Sequence, residues 1–216
     1  MPLTGGRPGS ELLLRMIGHD NEVVLPGSFL PVAEKYGLIR EIDRWVITHA
    51  ARLAATGRGV IEANLSAASI ATCDLLPFIE QQIIQAGADP ADLVFEITET
   101  ALMQDITVGE AFARGLTELG CGLALDDFGT GFGSFTYLKK LPITHLKIDT
   151  EFIRDLTDHP ANLHVVKAVV SLARAFGLTT IAEGIEDEQA LTLLRAEGVD
   201  FGQGFHLGLP EPIDPG

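Results

Sequence analysis

Short apolar segments rich in β-branched residues alternate along the chain with longer segments in which apolar residues recur three and four positions apart. The short segments predict seven β-strands, at residues 11–17, 59–65, 93–98, 122–127, 145–148, 179–183 and 201–205. Strands that alternate with helices at this spacing are typical of a parallel sheet with right-handed crossovers. The pattern therefore predicts an α/β fold.

The longer segments predict helices at residues 39–55, 77–86, 163–176 and 187–197. Gly87, Gly177 and Gly198 stand where three of these helices should end, because glycine readily takes the left-handed backbone of a helix C-terminus. No low-complexity linker divides the sequence, so residues 1–216 are predicted to form one domain. An open doubly wound sheet and a (β/α) barrel both fit this order of elements.

Each predicted strand carries a polar side chain where a buried strand is expected to be apolar. These residues are Glu11, Asn64, Glu96, Asp126 with Asp127, Lys147, Glu183 and Gln203. They follow one another at about 32 residues on average, the length of one strand–helix unit. Strand ends of a barrel converge at one mouth, whereas an open sheet rarely places a functional group on every strand. The polar residues therefore favour the barrel.

The charges of this set indicate a metal site. Five carboxylates and one lysine leave an excess of four negative charges, which crowded groups cannot hold without counter-charge. Two divalent cations would balance them, and an all-oxygen donor set suits Mg²⁺ or Mn²⁺ better than zinc or copper. The neighbours Asp126 and Asp127 would let one carboxylate bridge both ions. Two such ions predict phosphodiester hydrolysis.

Composition narrows the function classes. Hydrophobic residues make up 46% and charged residues 21% of the 216 residues, which is a globular composition. A net charge of −15 argues against binding to DNA or to an anionic membrane. Cys73 and Cys121 lack the CxxC spacing of a zinc site. With no uncharged apolar run of about 18 residues and no apolar signal core, the chain is predicted to be cytoplasmic.

Several short motifs occur in an order that resembles one known family. They read ELLLR (11–15), PGSFLPVAEKYGLI (26–39), NLS (64–66), EITE (96–99), DDFGTG (126–131), LKID (146–149), AEG (182–184) and GQG (202–204). The sequence is similar to the EAL-domain cyclic di-GMP phosphodiesterases over nearly its whole length. Leu12 stands where the signature has alanine.

The resemblance implies a TIM-like (β/α)₈ barrel with one antiparallel strand, and metal-dependent cleavage of cyclic di-GMP to linear pGpG. It implies that two Mg²⁺ or Mn²⁺ ions activate water. The metal ligands implied are Glu11, Asn64, Glu96, Asp126, Asp127 and Glu183. Lys147, Glu183 and Glu99 are implied as catalytic residues, with Glu99 matching the acid that anchors the loop after Asp127. Substrate contacts are implied for Arg15, Gln203 and Asp149.

The resemblance also implies partners. The glycine-rich loop from Asp127 to Ser134 matches the segment that the family uses for dimerisation, so a homodimer is expected. A sensor domain or a GGDEF domain is expected in the full-length protein. Neither a DNA partner nor a membrane span is expected.

The start of the chain departs from the family pattern. Met1 falls in what looks like the loop after the first strand, so the domain is expected to lack that strand. An incomplete barrel leaves two sheet edges. Two functions from different classes therefore remain open: a phosphodiesterase, or a weakly active or inactive receptor that binds cyclic di-GMP and signals through its conformation.

Overall fold

The computed structural model describes residues 1–129 and 138–213. The strands in this part of the chain are β1 (Gly9–Glu11), β2 (Met16–Ile17), β3 (Val23–Val24), β4 (Val60–Asn64), β5 (Leu93–Thr98), β6 (Gly122–Phe128), β7 (His145–Ile148), β8 (Thr179–Ala182) and β9 (Phe201–Gly202). Seven of them form a curled parallel sheet in the order β1-β4-β5-β6-β7-β8-β9. The α/β fold of TIM-barrel type is thereby confirmed.

Helices connect the strands. They are α1 (Pro26–Lys35), α2 (Ile39–Ala54), α3 (Ala67–Ile70), α4 (Leu75–Ala86), α5 (Glu99–Gln104), α6 (Ile106–Glu118), α7 (Thr150–Arg154), α8 (Pro160–Phe176) and α9 (Glu188–Glu197), with a short 3₁₀ turn at Pro90–Asp92. Helices α4, α8 and α9 end at Gly87, Gly177 and Gly198, whose φ angles are +69°, +70° and +76°. The three predicted helix ends are therefore confirmed.

The core lies between the sheet and the helices that surround it. Ile47 of α2, Ile79 of α4 and Leu116 of α6 are buried in the same apolar cluster as Phe95 of β5 and Leu123 of β6. Burying these side chains supplies most of the driving force for folding. Among the described residues, no helix combines the length and the apolar character that crossing a membrane requires.

The predicted first strand at residues 11–17 is wrong in its bounds. Strand β1 ends at Glu11, and Leu12 still donates its N–H to the carbonyl of Glu62, at 2.9 Å, before the chain leaves the sheet. Met16 and Ile17 belong to a separate two-stranded antiparallel sheet with Val23 and Val24. The largely apolar segment from Leu12 to Ile17 is predicted as part of one strand, although the chain passes within it from the parallel sheet to the small antiparallel sheet.

The first residues of the chain lie along the edge of β9. Pro2 and Phe201 form an antiparallel bridge. The N–H of Gly202 donates to the carbonyl of Met1 at 2.9 Å, and the N–H of Leu3 donates to that of Asp200 at 2.8 Å. The segment expected to be a loop thus covers the β9 edge, in the direction that the resemblance implies for the one reversed strand.

Candidate functional site

The polar residues predicted at the strand ends lie together at the carboxyl end of the parallel sheet. Glu11 and Asn64 are the last residues of β1 and β4, and Glu183 and Gln203 directly follow β8 and β9. Glu96, Asp126 and Lys147 lie near the ends of β5, β6 and β7. Because parallel strands share one direction, these side chains converge as the spacing predicted.

Lys147 lies at the centre of the cluster and its side chain is 1% exposed. Its ammonium nitrogen lies 2.5 Å from Glu96 Oε2 and 2.5 Å from Glu183 Oε1. Glu11 Oε2 is 3.6 Å away and Asp126 Oδ1 is 3.8 Å away. One cation therefore faces four carboxylates, which leaves the cluster strongly negative.

Two amide side chains hold the carboxylates in place. Asn64 donates through Nδ2 to Glu11 Oε1 at 2.8 Å. Gln203 donates through Nε2 to Glu11 Oε2 at 2.7 Å and to Glu183 Oε1 at 3.1 Å. These bonds fix the rotamers of acids that repel one another. The side-chain oxygen of Asn64 takes no part in them and can coordinate a cation.

Glu62 is a further acid of the cluster that the sequence analysis missed. It lies on β4 two residues before Asn64, so both side chains point to the same face of the strand. Its carboxyl lies against that of Glu96, and burial raises the pKa of Glu62. The alternation of side chains along β4 could have indicated this residue, because Glu62 and Asn64 are two positions apart.

Asp126 and Asp127 owe their placement to an irregularity of β6. The pairing of β6 with β7 shifts register between Leu125 and Phe128, and Asp127 has a φ of +56°. A bulge of this kind re-aims side chains that would otherwise alternate between faces. Burial and the neighbouring Asp126 charge raise the pKa of Asp127 to about 6, and Asp149 also lies beside it.

The protonation of the cluster reflects burial and charge in competition. Burial by itself would lower the pKa of Lys147, but the carboxylates of Glu96, Glu11 and Glu183 raise it well above its usual range. Burial raises the pKa of Glu96 well above normal. Burial also raises the pKa of Glu183 to about 7, although Lys147 opposes the shift. Lys147 therefore stays charged while Glu183 titrates near neutrality.

Three further predicted site residues make contacts of their own. Glu99 is buried at the start of α5 and accepts a backbone hydrogen bond from Gly129. The exposed guanidinium of Arg15 donates to the carbonyl of Leu14 at 2.8 Å. Asp149 accepts the Glu151 N–H at 2.7 Å as the N-cap of α7. Most of the predicted dimerisation loop, residues 130–134, lies outside the described residues.

The donor set fits divalent cations. Glu96 Oε1 is buried, and no hydrogen bond satisfies it within the described chain. It needs either a cation or one proton shared with Glu62, because two ionised carboxylates cannot bond to each other. The cluster holds six carboxyl groups against one lysine, since Glu62 and Asp127 join the four acids around Lys147, and its carboxylate and amide ligand atoms are oxygens, which Mg²⁺ and Mn²⁺ prefer.

Comparisons with known proteins find relatives that match nearly the whole chain. Cyclic di-GMP phosphodiesterase PdeF of Escherichia coli is 35% identical to the chain, over 98% of the chain and 29% of PdeF. The bifunctional diguanylate cyclase/cyclic di-GMP phosphodiesterase MucR of Pseudomonas aeruginosa is 37% identical, over 95% of the chain and 31% of MucR. The chain thus spans about a third of the length of these curated relatives.

Solved structures resemble the fold closely. The MucR phosphodiesterase in complex with c-di-GMP superposes with a TM-score of 0.92 at 36% identity, over 98% of this chain and 88% of that one. The FimX EAL domain from Pseudomonas aeruginosa, bound to c-di-GMP, gives 0.91 at 30% identity, over 96% and 86% of the two chains. The sequence model of the EAL domain matches residues 2–210. The chain belongs to the EAL domain family.

Proposed function

We propose that residues 1–216 form one EAL domain that hydrolyses cyclic di-GMP to linear pGpG with two Mg²⁺ or Mn²⁺ ions. The observation that carries the proposal is the convergence of the acids on Lys147 with Glu96 Oε1 left unsatisfied. The names of relatives such as PdeF and PA2567, at 35% and 39% identity, support the substrate and the reaction.

The residues assigned to the cations in this proposal come from five strand ends. Glu11, Asn64, Glu96 and Asp126 would hold one ion, and Asp126 and Asp127 would hold the other with Glu183 close by. When bound, the ions lower the pKa of water and offset charge on the phosphate. The bulge in β6 supports this assignment because it lets adjacent aspartates serve one site.

The protein groups then orient the substrate and move protons. Lys147, fully charged, donates hydrogen bonds to the attacking water or to the phosphate as negative charge develops. Glu183 lies 2.5 Å from the Lys147 ammonium and, ionised beside the cations, can accept a proton and act as a general base. Glu99 holds the backbone after β6 through Gly129. Arg15, Asp149 and Gln203 contact the substrate at the mouth.

The test is cleavage by the purified chain. Cyclic di-GMP is incubated with Mg²⁺ or Mn²⁺ or with EDTA, and pGpG is followed by chromatography. We expect pGpG only with metal, and a loss of about 100-fold or more in Glu11→Gln. Glu110→Gln is the matched control, since Glu110 pairs with Arg114 on the surface of α6. Cyclic di-GMP bound with either metal but never cleaved would overturn the proposal in favour of a receptor.

A further inference from the structure

A buried aspartate on α2 contacts the turn that follows Asn64. Asp43 is 4% exposed. Its Oδ2 accepts the Ser66 hydroxyl at 2.6 Å and the Ser66 backbone N–H at 3.1 Å. Burying a carboxyl group lowers the stability of the fold unless hydrogen bonds satisfy its oxygens. The two bonds from Ser66 do so here, and they fix the turn against α2.

Ser66 joins Asp43 to the end of strand β4. Its hydroxyl accepts the Ser69 N–H at 3.2 Å as the N-cap of α3 while it donates to Asp43. Leu65, between Asn64 and Ser66, donates its N–H to the Glu96 carbonyl at 2.9 Å. The backbone is therefore fixed directly after Asn64, from the helix layer on one side and from β5 on the other.

We propose that Asp43 is a positioning residue that sets the orientation of Asn64, and thereby the cation affinity of the site, through its two bonds to Ser66. The inference rests on the proposed function in that Asn64 is taken as a cation donor. Without Asp43, Ser66 can rotate its hydroxyl to other acceptors and the turn loosens. Residues that hydrogen-bond a metal ligand typically change metal affinity by about 10- to 100-fold when removed, and Asp43, which bonds Ser66 rather than Asn64 itself, should give an effect at the lower end of that range.

The chain offers a matched control at the opposite end of the sheet. Asp200 Oδ2 accepts the Thr180 backbone N–H at 2.9 Å and the Thr180 hydroxyl at 2.9 Å. It thus makes the same two bonds as Asp43, to a residue at the amino end of β8. Removing Asp200 costs the same kinds of bond without touching the end of β4.

The first measurement is Mn²⁺ binding by calorimetry, on metal-free wild-type protein, Asp43→Ala and Asp200→Ala, with the free energy of unfolding of each. We expect Asp43→Ala to weaken Mn²⁺ binding by about 10-fold. Asp200→Ala should lose stability and keep the wild-type affinity. Asp43→Asn, which keeps an acceptor oxygen, should recover most of the affinity. Unchanged affinity in folded Asp43→Ala would overturn the proposal.

The second measurement needs no metal. The side-chain amide signal of Asn64 is assigned by its loss in Asn64→Asp and is then compared between variants by NMR. We expect it to move in Asp43→Ala and to stay in place in Asp200→Ala; an unmoved signal contradicts the role of Asp43. Ser66→Ala replaces Asp43→Ala in both measurements if the latter does not fold. A wild type that binds no Mn²⁺ would refute the proposed function, while this signal would still test Asp43.

Discussion

The buried polar groups at the two ends of the parallel sheet differ in how fully hydrogen bonds and ion pairs satisfy them. At the amino end, Arg7 forms a two-pronged ion pair with Asp92, at 2.6 Å and 3.3 Å, and Asp200 binds Thr180 twice. Each acid there has its own donors. At the carboxyl end, the acids compete for Lys147 and Glu96 Oε1 has no hydrogen-bond partner within the described chain.

This difference separates stability from function within one fold. In barrels of this type the amino end serves stability, whereas the carboxyl end carries the chemistry. Mutual repulsion of the carboxylates lowers the stability of the metal-free chain, and bound cations would reverse that effect. A substitution at the amino end should therefore lower stability and leave activity unchanged. A substitution at the carboxyl end should lower activity and leave the stability of the metal-free chain unchanged or higher.

The largest effect is expected from Asp126→Asn. The asparagine keeps the bond to the Asp127 N–H, at 2.9 Å from Oδ1 in the wild type, but loses the charge assigned to both ions. Turnover of cyclic di-GMP should fall by about 100-fold or more, while the metal-free free energy of unfolding stays level or rises. Chromatography of pGpG and urea unfolding measure the two quantities. A variant as active as the wild type would remove Asp126 from the site.

A moderate effect is expected from pH. Burial raises the pKa of Glu183 to about 7 and that of Asp127 to about 6, above their values in the unfolded chain. The folded chain therefore binds more protons between about pH 4 and pH 7, so its free energy of unfolding should fall as pH rises through this window.

Urea unfolding in EDTA and in saturating Mn²⁺ checks this slope. Metal binding requires deprotonated carboxylates, so with Mn²⁺ the stability should instead increase with pH. Glu183→Gln should flatten the slope in EDTA. Equal slopes with and without Mn²⁺ would mean that the cluster does not bind the ion.

The smallest effect is expected from Asp92→Ala at the amino end. It removes the partner of Arg7, whose side chain is 60% exposed and can find water instead. The free energy of unfolding should fall by roughly 1 kcal/mol. Turnover should be unchanged at saturating metal and substrate. A large loss of turnover without unfolding would mean that the two ends are not independent.

Much of this architecture could be predicted from the sequence. The seven strands and their parallel arrangement follow from the apolar runs, and the converging residues follow from one polar position in each run. Glycine at the ends of α4, α8 and α9 marked those ends correctly. A strand, its polar position and a helix-ending glycine each depend on residues close together in the sequence, so the sequence pattern indicates them.

Features that depend on tertiary contacts could not be predicted. Strand β1 ends at Glu11 because the chain turns into a second small sheet, although Leu12 to Ile17 remain largely apolar. The shift in β6 that re-aims Asp126 and Asp127 has no signature in the residue types. The bonds between Asp43 and Ser66 join a helix to the turn after β4, 23 residues away, and no sequence pattern indicates them.

The central claim is that the carboxyl end of the sheet is a site for two divalent cations. Titration of Mn²⁺ into the metal-free chain by calorimetry, at pH 7.5 and with Asp126→Asn in parallel, tests it most directly. The account predicts two ions bound per chain with release of protons, and loss of at least one of them in Asp126→Asn. Absence of binding in the wild type, or two ions bound equally well by Asp126→Asn, would contradict it.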